Sequence, residues 1–182
     1  MENEHLLQMG IGSYYDRQID IITWSNQYKV IVGKYCSIGR DTSFFLHTDH
    51  RPDWITTSSQ LWGPVTPEIA EMHMSLGHPA SKGNINIEND VWIGSKSVIM
   101  SGVIIDNGAV VGATSTVTKY VPPYAIVAGN PARIIKYRFS DDIIDKLLKI
   151  AWWDWPQEKN MIRQEAMLLW STDVELFIKK YA

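Results

Sequence analysis

Two histidines stand three residues apart in the stretch FLHTDHRPDWITT, residues 45–57. A neutral imidazole, with an ordinary pKa of about 6.5, can accept a proton at pH 7, and imidazoles acting together can bind a transition metal. His47 and His50 therefore raise three hypotheses: a general base, a metal site, or an ordinary polar loop. The choice depends on the elements that position this stretch.

The composition is that of one folded unit with a small appendage. The 182 residues are 45% apolar and 20% charged, with a formal charge of -3, and no basic stripe suggests a nucleic-acid partner. The first twenty residues have no apolar signal segment, and no stretch approaches the roughly 20 apolar residues of a membrane span, so we expect a cytoplasmic protein. Cys36 is the only cysteine, which excludes an internal disulfide, and we interpret it as a small buried residue.

The middle of the chain repeats every six residues. Aliphatic β-branched residues recur at Ile87, Ile93, Ile99, Ile105, Val111 and Val117. A small or β-branched residue follows each by four positions, at Val91, Ser97, Val103, Ala109, Ser115 and Val121. An α-helix with 3.6 residues per turn would scatter these residues around its axis. A short strand and a turn every six residues explain them, which is typical of a parallel β-helix.

The same spacing occurs upstream, at Val32, Ile38 and Phe44. The stretch from residue 10 to 31 is too irregular to phase. Between the two repeat blocks, residues 46–82 break the register with four prolines and four of the five histidines. We interpret 46–82 as an excursion loop, because long loops on a rigid scaffold often carry function.

The end of the chain changes to a helical pattern. Ser140 is predicted to cap a first helix, Pro156 to lie in the first turn of a second, and Thr172 to begin a third through a capping box. The sequence therefore predicts an all-β solenoid over 1–139 and a C-terminal helical tail over 140–182.

A family resemblance rests on the repeat and on four further segments: HRPDW, VWIGSKSVIMSGVIIDNGAVVGATSTVTK, AIVAGNPARIIKYRF and AWWDWP. Over roughly residues 30–160 the chain resembles the hexapeptide-repeat acetyltransferases. It is most similar to their xenobiotic subgroup, with chloramphenicol and streptogramin acetyltransferases and sugar acetyltransferases of surface-polysaccharide pathways. The resemblance implies a left-handed parallel β-helix and a homotrimer with active sites between subunits. The hand comes from the resemblance alone, because most crossover connections are right-handed.

The same resemblance assigns the chemistry. The family transfers an acetyl group from acetyl-CoA to a hydroxyl or amine, and its histidine base corresponds to His50. General-base catalysis contributes about 10²- to 10⁴-fold and needs no covalent acyl-enzyme. Coenzyme A binding is assigned to Ala113, Thr118, Lys119, Arg133 and Lys136. Small residues would let the pantetheine arm approach the backbone, and cations suit the phosphates.

Several alternatives stay open. Asp49, Asp53 or a backbone carbonyl could orient His50, and no donor for the oxyanion is assigned. The γ-class carbonic anhydrases share the left-handed β-helix and bind zinc through three histidines, but those ligands come from repeats, and the repeats here contain no histidine. We therefore expect no metal. A noncatalytic solenoid scaffold is a further alternative.

The resemblance places acceptor contacts at Tyr14, Tyr15, Asp16 and Trp54. Only about twenty residues separate the tyrosines from the CSIG motif, whereas antibiotic-modifying relatives have a longer segment there. A shorter wall favours a sugar or nucleotide-linked sugar, with a chloramphenicol- or streptogramin-type antibiotic as the alternative acceptor. Oxygen or nitrogen acetylation, and acetyl or another acyl group, stay open.

Overall fold

Short strands follow one another through three sheets in rotation. The computed structural model describes residues 3–61, 63–156 and 161–182. Its strands are β1 (Leu7–Met9), β2 (Tyr14–Tyr15), β3 (Ile19–Thr23), β4 (Val30–Val32), β5 (Ser37–Ile38), β6 (Thr42–His47), β7 (Ile85–Ile87), β8 (Trp92–Ile93), β9 (Val98–Met100), β10 (Ile104–Ile105), β11 (Val110–Val111), β12 (Thr116–Val117), β13 (Ala125–Gly129) and β14 (Ala132–Tyr137).

We call three successive strands, one in each sheet, a round of the chain. Each round adds one strand to every sheet. Sheet 1 has the order β1-β4-β7-β10, sheet 2 the order β14-β13-β11-β8-β5-β2, and sheet 3 the order β12-β9-β6-β3. Neighbouring strands are parallel, except that β14 folds back antiparallel on β13. Residues one round apart therefore stack directly on each other.

The six-residue spacing marks the core, as predicted. The six aliphatic residues from Ile87 to Val117 are at most 1% exposed, and the six residues that follow them by four positions are at most 2% exposed. Ile93 pairs with Ile38 on one side and with Val111 on the other, so one repeat position forms a ladder through successive rounds. Burial of these side chains from water is the main force holding the rounds together.

The stretch that the sequence left unphased is a first round of the same repeat. Its register pairs Met9, Tyr15 and Ile21 with Val32, Ile38 and Phe44 respectively. Val32 follows Ile21 by eleven positions rather than six, because residues 24–29 form an irregular connection between β3 and β4. Because of this insertion, the six-residue period does not continue from β3 to β4.

The excursion contains a helix that the sequence analysis did not predict. Helix α1 (Pro67–Ser75) begins after Thr66, whose hydroxyl accepts a hydrogen bond from the Ile69 backbone nitrogen. The base of the excursion is closed by an antiparallel bridge, in which the Asp49 nitrogen lies 3.2 Å from the Ala80 carbonyl oxygen. The threonine-proline pair at 66–67 is the helix-start signal in the sequence.

The tail is helical, as predicted. It contains α2 (Asp141–Ile150), a 3₁₀ turn (Trp152–Asp154), α3 (Met161–Gln164), α4 (Ala166–Leu169) and α5 (Val174–Tyr181). Ser140 is the N-cap residue of α2, although its side chain makes no capping hydrogen bond. The predicted cap at Thr172 is wrong, because Asp173 caps α5 and accepts from the Leu176 nitrogen at 2.9 Å. The predicted second helix begins at Pro156, and its next residues lie outside the described ranges.

A second buried cluster joins the tail to the sheets. Tyr124, which lies just before β13, packs with Ile144 and Leu147 of α2 and with Phe177 and Ile178 of α5. None of the helices that the structure describes combines the length and the apolarity that a membrane crossing requires.

Candidate active site

His50 lies where the chain leaves the sheets. Strand β6 ends at His47, and three residues later the exposed ring of His50 has its Nδ1 atom 2.6 Å from the carbonyl oxygen of Thr57. A carbonyl oxygen only accepts, so Nδ1 must carry the proton and donate it. In the neutral ring, Nε2 then keeps its lone pair and can take a proton from another molecule.

Of the three orienting groups left open by the sequence, the structure shows the backbone carbonyl. Asp53 is instead paired with Arg51, whose Nε donates to the carboxylate at 2.7 Å, and this hydrogen bond lowers the pKa of Asp53 to about 2. Arg51 also donates through Nη1 to the carbonyl of Leu76, which ties the end of α1 to the loop.

Aromatic rings form a cluster beside His50. The His50 and His78 rings meet edge to face, with centroids 4.9 Å apart. Trp54, a predicted acceptor contact, packs at 5.4 Å from the ring of His78 and 6.1 Å from that of His73. The guanidinium of Arg51 lies 5.9 Å from the Trp54 ring centre. The structure therefore brings Trp54 close to His50, with His78 as the ring that links them.

His47 does not join this cluster. Its ring packs edge to face on Tyr28 at 5.5 Å. Among the residues of the three described ranges, no group of three or more histidine, cysteine or acidic side chains has the geometry of a metal site. His47 and His50 thus face different surroundings despite their closeness in sequence.

The predicted coenzyme residues fall into two groups. Thr118 and Lys119 follow β12, and Val117 of that strand is in register with Ile99 and Phe44 of β9 and β6. Carboxyl ends of parallel strands share one edge, which we call the 3/1 edge: residues 46–48, 101–102 and 118–120. The excursion also leaves from this edge. Two strand spacings of about 4.8 Å separate β12 from β6, or roughly 10 Å.

Ala113 and Arg133 lie at the other end of the sheet 3 strands. Ala113 is exposed in the turn from sheet 2 to sheet 3, which we call the 2/3 corner: residues 16–17, 39–41, 94–96 and 112–114. Arg133 pairs with Ala128, and a Cβ added to Gly112 would lie 3.0 Å from the Ala128 Cβ, so Arg133 flanks this corner. Lys136 is exposed further along β14. Exposed cations beside small residues fit a phosphate-bearing ligand.

The N-terminal acceptor candidates are not brought to His50 within one chain. Tyr14, Tyr15 and Asp16 lie in or just after β2, at the far side of sheet 2. Asp16 belongs to the 2/3 corner and pairs with Arg40 at 3.5 Å. The Tyr15 hydroxyl lies 3.5 Å from Glu4.

Tyr14 lines an open cavity between sheet 2 and the tail. This cavity has a volume of about 720 Å³, and its described lining includes no residue of the excursion 46–82. At its wall Arg138 pairs with Asp90 at 3.3 Å and lies 5.1 Å from the Tyr124 ring centre. Burial raises the pKa of Asp90, and Arg138 opposes that rise. This cavity is thus separate from the histidine cluster.

Comparison with known proteins supports the family. The family described as "Bacterial transferase hexapeptide (six repeats)" matches residues 84–119. A chloramphenicol acetyltransferase of Agrobacterium fabrum is 42% identical over 133 residues, which are 72% of this chain and 62% of the relative. A probable macrolide acetyltransferase of Lysinibacillus sphaericus is 42% identical over 85% of this chain and 84% of its own. The virginiamycin A acetyltransferase of Staphylococcus aureus is 35% identical over 98% and 83%.

Solved structures show the same likeness. A hexapeptide-repeat acetyltransferase of Vibrio cholerae superposes with a TM-score of 0.54 at 25% identity, over 74% of this chain and 64% of that one. The polySia-specific acetyltransferase NeuO superposes with a TM-score of 0.51 at 27% identity, over 76% and 54%. The chain spans less than two thirds of the Agrobacterium relative, but more than four fifths of the Lysinibacillus and Staphylococcus relatives. It belongs to the hexapeptide-repeat acetyltransferases, in the xenobiotic subgroup.

Proposed function

We propose that this protein transfers an acetyl group from acetyl-CoA to a hydroxyl group of an antibiotic of the chloramphenicol, streptogramin or macrolide kind. The observation that carries the proposal is the hydrogen bond from His50 Nδ1 to the Thr57 carbonyl, because it leaves Nε2 as an acceptor. The family and its antibiotic-named relatives supply the reaction class.

His50 acts as the general base. Its Nε2 takes the acceptor's hydroxyl proton while that oxygen attacks the thioester carbonyl, and the resulting imidazolium returns the proton to the departing sulfur of coenzyme A. The Thr57 carbonyl accepts from Nδ1 throughout and so stabilises the imidazolium. A thioester is already reactive, so a rate contribution of about 10²- to 10⁴-fold from proton removal is sufficient for a single-histidine site.

We assign coenzyme A to Ala113, Thr118, Lys119, Arg133 and Lys136, and the acceptor to Trp54 and the N-terminal group Tyr14, Tyr15 and Asp16. Thr118 and Lys119 lie at one end of the sheet 3 strands and Ala113 lies at the other, which supports a site made from two chains. We therefore propose a cytoplasmic homotrimer of left-handed β-helices, with a repeat unit over 1–139, an excursion at 46–82 and a tail over 140–182. The rotation of strands through three sheets supports the β-helix.

An antibiotic acceptor replaces the sugar that the short N-terminal wall favoured. The match to the Lysinibacillus relative covers almost equal shares of the two chains, so a relative of similar length is named a probable macrolide acetyltransferase. The excursion also exposes large apolar side chains among polar ones such as Gln60 and Glu68. The exposed large apolar residues are Ile55 at 110%, Leu61 at 59%, Leu76 at 56%, Met74 at 54%, Met72 at 44% and Val65 at 39%. Such a surface suits an apolar acceptor better than a hydroxyl-rich sugar. A sugar stays the second candidate, since NeuO is named for polySia.

Release of free coenzyme A thiol tests the proposal. The purified protein is incubated with acetyl-CoA and, separately, chloramphenicol, a streptogramin, a macrolide and a panel of nucleotide sugars. We expect release with an antibiotic, a fall of about 10²- to 10⁴-fold in His50→Ala, unchanged acetyl-CoA affinity by calorimetry, and near wild-type activity in the control His47→Ala. Full activity in His50→Ala would refute the mechanism, and release with sugars alone would refute the acceptor.

The proposed assembly has its own measurement. Light scattering should give three times the 20.8 kDa chain mass. A monomeric mass for the active enzyme would contradict a site shared between chains.

A further inference from the structure

His78 is a buried histidine with an unpartnered nitrogen. Its residue is only 7% exposed, and among the described residues its Nδ1 has no hydrogen-bond partner. A buried polar atom without a partner lowers stability, and costs of this kind concentrate at functional sites. What the His78 ring contacts is therefore informative.

The ring lies between His50 and the other aromatic groups of the excursion. It meets His50 edge to face at 4.9 Å and 75°, His73 edge to face at 5.3 Å, and Trp54 in a tilted stack at 5.4 Å. The His78 backbone nitrogen also donates to the His73 carbonyl at 2.8 Å, which holds the residue against the end of α1. His78 is thus fixed on several sides, whereas His50 is exposed.

His50 needs a second constraint. One hydrogen bond, from Nδ1 to Thr57, favours one tautomer but does not by itself hold the exposed ring in place, so the ring can tilt and lose that bond. We propose that His78 is a positioning residue for His50: its buried ring fixes the plane of the His50 imidazole, so that Nδ1 stays on Thr57 and Nε2 faces the acceptor. This inference rests on the proposed role of His50 as the base.

The electrostatic surroundings agree with this role. Burial lowers the pKa of His78, and the charges of His50, His73, Arg51 and His47 lower it further. A neutral His78 ring does not repel the imidazolium that forms on His50 during transfer. A protonated one would, because two like charges about 5 Å apart repel each other.

Three variants test the inference. His78→Ala removes the ring, His78→Phe keeps a ring and removes the unpartnered nitrogen, and His73→Ala removes a neighbouring imidazole without a contact to His50. We expect His78→Ala to lower kcat about 10- to 100-fold, with KM for acetyl-CoA within about twofold. His78→Phe should restore kcat and raise the Tm by about 2–8 °C. His73→Ala should leave kcat within about threefold of wild type.

Equal losses of kcat in His78→Ala and His73→Ala would overturn the inference, because they would indicate general loosening of the excursion. Wild-type kcat in His78→Ala would overturn it too, as would a His78→Phe variant as slow as His78→Ala.

Nitrogen-15 NMR of His50 separates this inference from the proposed function. The Nδ1-protonated tautomer should dominate in wild type and His78→Phe and become mixed in His78→Ala. If the wild-type protein transfers no acetyl group, the proposed function fails while this spectral difference still supports positioning. An unchanged tautomer in His78→Ala overturns positioning whether or not the protein is active.

Discussion

Gly94 gives the most direct test of the coenzyme site, because it supports Ala113 from beneath. It is a buried residue just after β8, at the 2/3 corner. A Cβ added there would lie 2.5 Å from the Ala113 nitrogen and 2.8 Å from its Cα. Gly94 is not among the glycines with positive φ, so alanine adds a steric clash without backbone strain. Gly94→Ala should therefore push the backbone of a proposed coenzyme residue outward.

The size of the effect follows from this distance. An ordinary contact needs about 3.5 Å, so Ala113 must move by about 1 Å. Overpacking of this kind costs about 1–3 kcal/mol, which lowers the Tm by about 2–12 °C for a chain of this length. Loss of one hydrogen bond or close contact between the Ala113 backbone and the pantetheine arm is worth about 1 kcal/mol, so KM for acetyl-CoA should rise about fivefold.

Gly39 supplies a matched control one round earlier. A Cβ added at Gly39 would lie 2.5 Å from the Ser95 nitrogen, so the clash is equal but displaces a residue with no assigned coenzyme contact. Steady-state kinetics at saturating acceptor and thermal unfolding should show similar Tm losses in Gly39→Ala and Gly94→Ala, and a raised KM only in the latter. Equal KM values in the two variants would refute the role of Ala113.

Two further predictions concern buried titratable groups. Burial raises the pKa of the Cys36 thiol to about 11, and the residue is 0% exposed. A thiol-reactive dye at pH 8 should therefore react very slowly with the native protein, whereas in denaturant it should react with one thiol per chain. Rapid modification of the native protein would contradict the burial. The pKa of His78 is lower in the folded than in the unfolded protein. The stability that the neutral His78 ring contributes is therefore complete above the unfolded pKa of about 6.5, and it is lost as the pH falls through the lower pKa of the folded state. The Tm of His78→Phe should therefore depend less on pH between about 8 and 5, and identical slopes for variant and wild type would refute this.

The repeat was predictable because each round needs the same residue types at the same positions. Every round buries a β-branched side chain such as Ile99 and a small one such as Ser97 at fixed spacing, so the six-residue period can be recognised in the amino-acid sequence. The first round escaped detection because residues 24–29 interrupt the period between Ile21 and Val32. Helix α1 was not predicted because the excursion has no repeat whose interruption would mark a helix. Only the capping residue Thr66 and the following Pro67 indicate where it begins.

The site was predictable only in part. His50 could be named from its motif, but its orienting group is a main-chain carbonyl, which has no signature in the sequence. His78 lies beside His50 because the excursion folds back through α1 and the Asp49–Ala80 bridge, a tertiary event that spacing does not encode. The sequence alone therefore does not predict that the His78 and His50 rings meet.

The topology of a single chain separates the two halves of the proposed site. Thr118 and Lys119 belong to the 3/1 edge, from which the excursion with His50 leaves, whereas Asp16 and Ala113 belong to the 2/3 corner. Ala113 lies in the turn before β12 and Thr118 directly after that strand, so the five peptide steps from one to the other span at most about 17 Å. A contact between the 3/1 edge of one chain and the 2/3 corner of its neighbour would bring both groups to one site, and a closed ring of identical subunits repeats such a contact.

Subunit mixing tests this arrangement. His50→Ala removes the base from the 3/1 edge, and Arg133→Glu reverses a cation beside the 2/3 corner, so each variant alone should be nearly inactive at low acetyl-CoA. If chains are unfolded together and reassembled in equal amounts, about a quarter of the contacts should join an intact edge to an intact corner, and about a quarter of the wild-type activity should return. A site contained within one chain would regain nothing on mixing. Recovery near zero, with mixed trimers present by mass spectrometry, would therefore show that His50 and Arg133 serve the same chain's site.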